Sequence, residues 1–141
     1  MLAGQELALG SIGRRARAIE LHGFPVVRLP PRLGVENAAL LSLALRCTTT
    51  PPAALLGAGQ ALSNLQYLAL EGCGLRALPP SLAALRELRT LLLADNALSA
   101  VPAAAAMPPL GHLVTLGLAG NAITSLRGAS FAALPNLRAL D

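Results

Sequence analysis

"LLLADNAL", residues 91–98, sets three consecutive leucines directly against Asp95 and Asn96, and "LGLAGNAI", residues 116–123, is a near copy. An apolar helical stripe would not carry an Asp-Asn pair at its centre, and a strand rarely runs straight into one. The combination fits a backbone that pairs briefly as a strand and then turns sharply away.

Aligning the two copies fixes a frame. Leu88, Leu91, Leu93, Asn96 and Leu98 fill L-x-x-L-x-L-x-x-N-x-L at every position, and Leu113, Leu116, Leu118, Asn121 and Ile123 fill it again. One unit earlier, Leu65, Leu68, Leu70, Cys73 and Leu75 fit with cysteine in place of asparagine, a replacement the pattern permits. Before that, Leu40, Leu43 and Leu45 hold, followed by Thr48 and by Thr50 where a leucine is expected. Ala16, Ile19, Leu21, Phe24 and Val26 form a degenerate copy, and Leu137 and Leu140 open a last one that stops at Asp141. The starts at 16, 40, 65, 88, 113 and 137 are 23–25 residues apart.

Over residues 16–141 the chain resembles the leucine-rich repeat family. The resemblance implies an α/β solenoid of about five repeats, with a parallel concave sheet and short helical or irregular convex segments; residues 1–15 read as a cap or flexible lead. The last unit has nothing after it to cover Leu137 and Leu140, so the chain reads as incomplete, the N-terminal fragment of a solenoid whose last unit is truncated.

Within each unit, x-L-x is a short strand whose leucine points inward while its neighbours point out. Successive units pair in parallel at about 4.8 Å. The turn that follows exposes backbone N–H and C=O groups inside the solenoid, and asparagine, with a donor and an acceptor on one short side chain, satisfies both. Asn96 and Asn121 are therefore turn-locking residues. Cys73 and Thr48 hold the same position with less hydrogen-bonding capacity, which predicts softer turns there, and Phe24 has none. On the return side, residues 78–88 and 101–107 combine Pro with alanines and suggest one or two helical turns, whereas 48–62 reads as an irregular loop. Phe131 resembles the buried phenylalanine of the 24-residue class of these repeats.

Composition bounds the function. Of the 141 residues, 54% are hydrophobic, only 13% are charged and aromatics are nearly absent, so the core is aliphatic. The net charge of +4 comes from eleven arginines and no lysine in a sequence rich in Ala, Gly, Pro and Leu, a mixture that a GC-rich coding bias also produces. Arg14, Arg15 and Arg17 cluster without aromatic partners, so no nucleic-acid partner is expected. Residues 96–126 lack charged side chains, but their prolines and in-phase polar residues argue against a membrane span. Two cysteines 26 positions apart make neither a disulfide framework nor a zinc site, and Cys47, one position out of register, reads as exposed and unactivated. Residues 1–15 do not resemble a secretory signal, and the expectation is a reduced, cytoplasmic chain.

No catalytic, metal or cofactor constellation emerges. His22 and His112 are the two histidines, neither placed with a nucleophile and an acid. "GAGQAL", 57–62, has no GK[ST] and no preceding strand, so no small-molecule substrate is expected. The outward rows read Ala18, Ser42, Tyr67, Thr90, Thr115, Ala139; then Glu20, Ala44, Ala69, Leu92, Gly117; then His22, Arg46, Glu71, Ala94, Ala119. Interfaces favour Tyr and Arg anchors, so Arg46, Tyr67, Glu71, Arg89 and an exposed Leu92 form the candidate partner-binding patch. Family resemblance implies a non-catalytic module binding a protein on its concave face. The alternatives are the recognition arm of a larger enzyme or signalling protein, such as a ubiquitin ligase or kinase-linked protein, and, less favoured, a receptor ectodomain.

Overall fold

A computed structural model describes residues 15–24, 38–47, 62–101, 109–126 and 131–141. Six strands, β1 (Ala18–Phe24), β2 (Ser42–Cys47), β3 (Tyr67–Glu71), β4 (Thr90–Leu92), β5 (Thr115–Gly117) and β6 (Ala139–Leu140), form one sheet in chain order. Every neighbouring pair is parallel. Parallel neighbours need a crossover, and the 23–25 residue repeat supplies one return per strand.

Register follows the repeat frame. Ala18, Ser42, Tyr67, Thr90, Thr115 and Ala139 lie side by side, as do Glu20, Ala44, Ala69, Leu92 and Gly117. His22, Arg46 and Glu71 make the third row, whereas Ala94 and Ala119 fall beyond the strand ends. A fourth row continues the ladder one residue upstream. The Leu41 N–H donates to Arg17 O, Gln66 to Leu41, Arg89 to Gln66, Val114 to Arg89 and Arg138 to Val114, each at 2.8 or 2.9 Å.

The core is a stack of leucine layers. In the units starting at 40, 65 and 88, the three frame leucines are all buried, with Leu43, Leu65, Leu68, Leu70, Leu88, Leu91 and Leu93 fully so. Each fully buried leucine contributes about 2 kcal/mol relative to an exposed one. A second column, Leu62, Leu85, Leu110 and Leu134, comes from the return side, three residues before each frame start. In every case the N–H of the first frame leucine donates to the carbonyl of that residue, as in Leu88 to Leu85 at 3.2 Å. At the outer layers burial weakens: Leu21 and Leu137 are half-buried and Leu140 is exposed. Phe131 is half-buried against the core.

Among the described residues, return-side helical structure is slight. Within 78–88 a single 3-10 run covers Pro80–Ala84, opened by the Pro79–Pro80 pair and closed by the Leu85 N–H on Leu82 O. Proline fixes the opening dihedral and removes a donor, which suits one tight turn and no longer helix. A second, Phe131–Ala133, precedes Leu134. The readings for 48–62 (apart from Leu62), 102–107 and Thr48, and those for Val26 and the Phe24 side chain, lie outside the described residues.

Candidate partner-binding face

The turns position the face. In each described turn, the eighth residue of the frame adopts left-handed backbone: Gly72 (φ 61°), Asp95 (φ 56°) and Gly120 (φ 68°). Aspartate tolerates that region better than most side chains, which explains its place among glycines. At Gly120 an added Cβ would collide with the Asp95 carboxylate of the preceding unit, so no side chain fits.

The ninth residue then reaches one unit back. Asn96 is buried. Its Oδ1 accepts from the N–H of Cys73 (3.0 Å) and of Leu75 (3.1 Å), and its Nδ2 donates to Leu70 O (2.7 Å), Leu93 O (2.9 Å) and Ala94 O (3.2 Å). Asn121 accepts from the Leu98 N–H (3.1 Å) and donates to Leu93 O and Leu118 O (2.8 and 2.7 Å). Each asparagine thus closes its own turn and braces the one before it.

Cys73 occupies the same position and also reaches back, but covalently. It forms a disulfide with Cys47, the last residue of β2, with Cα atoms 4.6 Å apart. This corrects the expectation of two free thiols, with Cys47 exposed. Cys47 is half-buried and Cys73 fully buried. The spacing of 26 is one repeat of 25 plus one, and Arg46 pairs with Glu71, so Cys47 sits diagonally beside the turn that carries Cys73. A softer turn does not follow from the missing amide, because Asn96 satisfies the Cys73 and Leu75 N–H groups and the disulfide ties the turn to its neighbour. A reduced cytoplasmic setting loses the support that free cysteines would have given it.

Of the five patch residues, the structure brings Arg46 and Glu71 into contact. The Arg46 Nη2 and Nε both donate to Glu71 Oε2, at 2.8 and 3.2 Å. The hydrogen bond to Glu71 first, then that carboxylate's charge, hold the Arg46 guanidinium above its ordinary pKa, with Asp95 adding to the effect. Tyr67 begins the same strand as Glu71 and is half-buried.

Leu92 departs from expectation, being half-buried and not exposed. Its Cδ2 lies 2.9 Å from where a Cβ on Gly117 would stand, so the missing side chain at Gly117 lets Leu92 lie across the sheet. Arg89 lies one residue before β4, at the strand-start edge of the sheet. It belongs to the row upstream of the strands and lines a hollow with His112, Val114, Asn136 and Arg138.

The sequence reading missed a second asparagine device. Asn64 Nδ2 donates to Ala38 O (3.0 Å) and Asn136 Nδ2 to Gly111 O (2.7 Å), each from the residue just before a frame start and each reaching one unit back. The recurring Asn-Leu pairs at 64–65 and 136–137 were its signal. Glu87 and His112 stand at the equivalent positions, with Glu87 Oε2 4.0 Å from His112 Nδ1. Among the described residues no group of His, Cys, Asp and Glu could hold a metal ion, and no helix is long and apolar enough to cross a membrane.

Comparison with known proteins agrees with the geometry. Residues 86–141 match the leucine rich repeat family. A 55-residue stretch is 44% identical to trophoblast glycoprotein of Macaca fascicularis, covering 38% of this chain and 13% of that protein's length. Six described strands parallel and in chain order, with turns closed by one residue reaching back a unit, form a leucine-rich repeat solenoid, and residues 86–141 carry the match to that family.

Proposed function

We propose that this chain is a non-catalytic protein-recognition module that presents its concave sheet in an oxidising compartment. The observation that carries the recognition half is the concave face itself. A floor of small residues, Ala44 and Ala69, lies between Tyr67 at the start of β3 and the paired charges of Arg46 and Glu71 at its end, and Gly117 continues that row beyond Leu92. A rigid aromatic at one end of a low floor and an oriented charge pair at the other suit a protruding partner segment. Leu92, held across Gly117, supplies apolar surface and belongs to that floor.

The compartment half rests on the Cys47–Cys73 disulfide, since such bonds persist in secreted and surface proteins and are rare in reducing cytosol. The matched relative is named a glycoprotein, which agrees with that setting. These two observations favour the ectodomain reading over a cytoplasmic ubiquitin-ligase or kinase-linked recognition arm. The test is capture of surface proteins from intact cells by the chain, by a Tyr67→Ala/Glu71→Lys variant, and by an Ala83→Arg variant on the return side. Loss of the captured protein with the first variant alone supports the concave face. Equal capture by all three chains would contradict it.

A further inference from the structure

Charge is segregated across this sheet along the strand direction. Upstream of the strands, the hydrogen-bonded row of Arg17, Leu41, Gln66, Arg89, Val114 and Arg138 carries three cations and no anion. At the other end, Glu71 closes β3 and Asp95 follows β4, and Arg46 of β2 is engaged by Glu71. Among the described residues no ion pair involves Arg89 or Arg138, and both are exposed.

Those two arginines flank a built hollow. They stand two strand spacings apart, roughly 10 Å, with the short Val114 between them. The depression is open to solvent and offers about 350 Å³, with His112 and Asn136 completing its lining. The amide of Asn136 is committed to Gly111 O, which fixes its place in the wall. Glu87 is the acid beside His112 and is not part of the lining.

From this juxtaposition we infer that the Arg89–Arg138 hollow is a docking site for an acidic side chain, aspartate or glutamate, of the protein partner. The inference rests on the proposed recognition function and gives its partner a charge and an orientation. Two guanidinium forks around one recess match a carboxylate, which each can grip through paired N–H donors. An acidic peptide segment is favoured over a sulfated glycan or nucleic acid by the rest of the row. Leu41 and Gln66 interrupt the cations, and Asp95 past the end of β4 repels an extended polyanion laid across the sheet. The partner segment therefore lies with its acidic end at the strand starts.

The full chain, titrated with fluorescein-labelled hexaglutamate at low salt and followed by anisotropy, tests this directly. Hexaglutamine is the neutral control, and a heparin-derived hexasaccharide serves as competitor. Binding of hexaglutamate that weakens about tenfold or more in Arg89→Gln/Arg138→Gln, and not in Arg76→Gln, is the expected result. Equal weakening by Arg76→Gln would reduce the effect to net charge, and binding no tighter than hexaglutamine would remove the site. Tighter binding of the hexasaccharide through the same arginines would assign the hollow to glycans and overturn the peptide assignment. The free peptide reads this hollow without the concave face, so it and the Tyr67→Ala/Glu71→Lys capture experiment can fail independently.

Discussion

Cys73 and Asn96 hold the ninth frame position one repeat apart and reach back to the preceding unit by different chemistry. After β4, Asn121 accepts from Leu98 and donates to Leu93, so the brace is a set of hydrogen bonds from the next unit. At the turn after β3, Asn96 does the same for Cys73, Leu75 and Leu70, while Cys73 reaches back to β2 through a disulfide. The frame position is constant and its direction of action is constant; only the bond type changes. A solenoid has few contacts between non-adjacent units, so a brace that links unit n+1 to unit n is what makes the stack cooperative. Toward the N-terminal side that link is covalent, and toward the C-terminal side it is an amide in a buried backbone cage.

The largest expected effect comes from the cage. Asn96→Ala strands the Cys73 and Leu75 N–H groups beside the core and destabilises the chain by about 4 kcal/mol in urea unfolding. Asn121→Ala, at a half-buried site, costs about half as much. Cys47→Ser/Cys73→Ser removes a cross-link between residues 26 apart and lowers stability by about 3 kcal/mol, a loss that reductant reproduces in the wild type. Gly120→Ala costs about 2 kcal/mol, because the left-handed backbone and the Asp95 carboxylate both oppose a side chain. The smallest effect sharpens the comparison most. Cys47→Ser/Cys73→Asn should be about 1 kcal/mol more stable than Cys47→Ser/Cys73→Ser, as an amide regains part of the backward brace. Equal stability of the two would mean that the second unit's turn cannot use an asparagine.

Much of this was legible in the sequence because one physical constraint repeats. Leucines at the first, fourth and sixth places, with asparagine at the ninth, fix strand position, register and the inward face together, so the three outward rows could be written from spacing alone. The convex leucines at 62, 85, 110 and 134 repeat as regularly, three places before each frame start, and were available to the same counting. The disulfide was harder to see because the motif already accounts for Cys73 as an asparagine substitute. Cys47 looked misplaced by one position, and that offset is what sets it beside the neighbouring turn.

Side-chain posture was not legible at all. Leu92 lies across the sheet because Gly117, 25 residues later, has no Cβ, and Arg89, one residue before β4, lines a hollow with Arg138. Apart from that leucine column, return segments gave little because their Pro-rich stretches differ in composition, and a single 3-10 run is the helical content of 78–88.

The state of the two cysteines tests the central claim most directly. The full chain, secreted from eukaryotic cells and purified without reductant, is denatured, treated with iodoacetamide and weighed intact. With only Cys47 and Cys73 in the sequence, a disulfide-bonded chain takes up no alkyl group, and two are added after reduction. Two alkyl groups taken up without reductant would contradict the covalent brace and return the chain to a reduced setting.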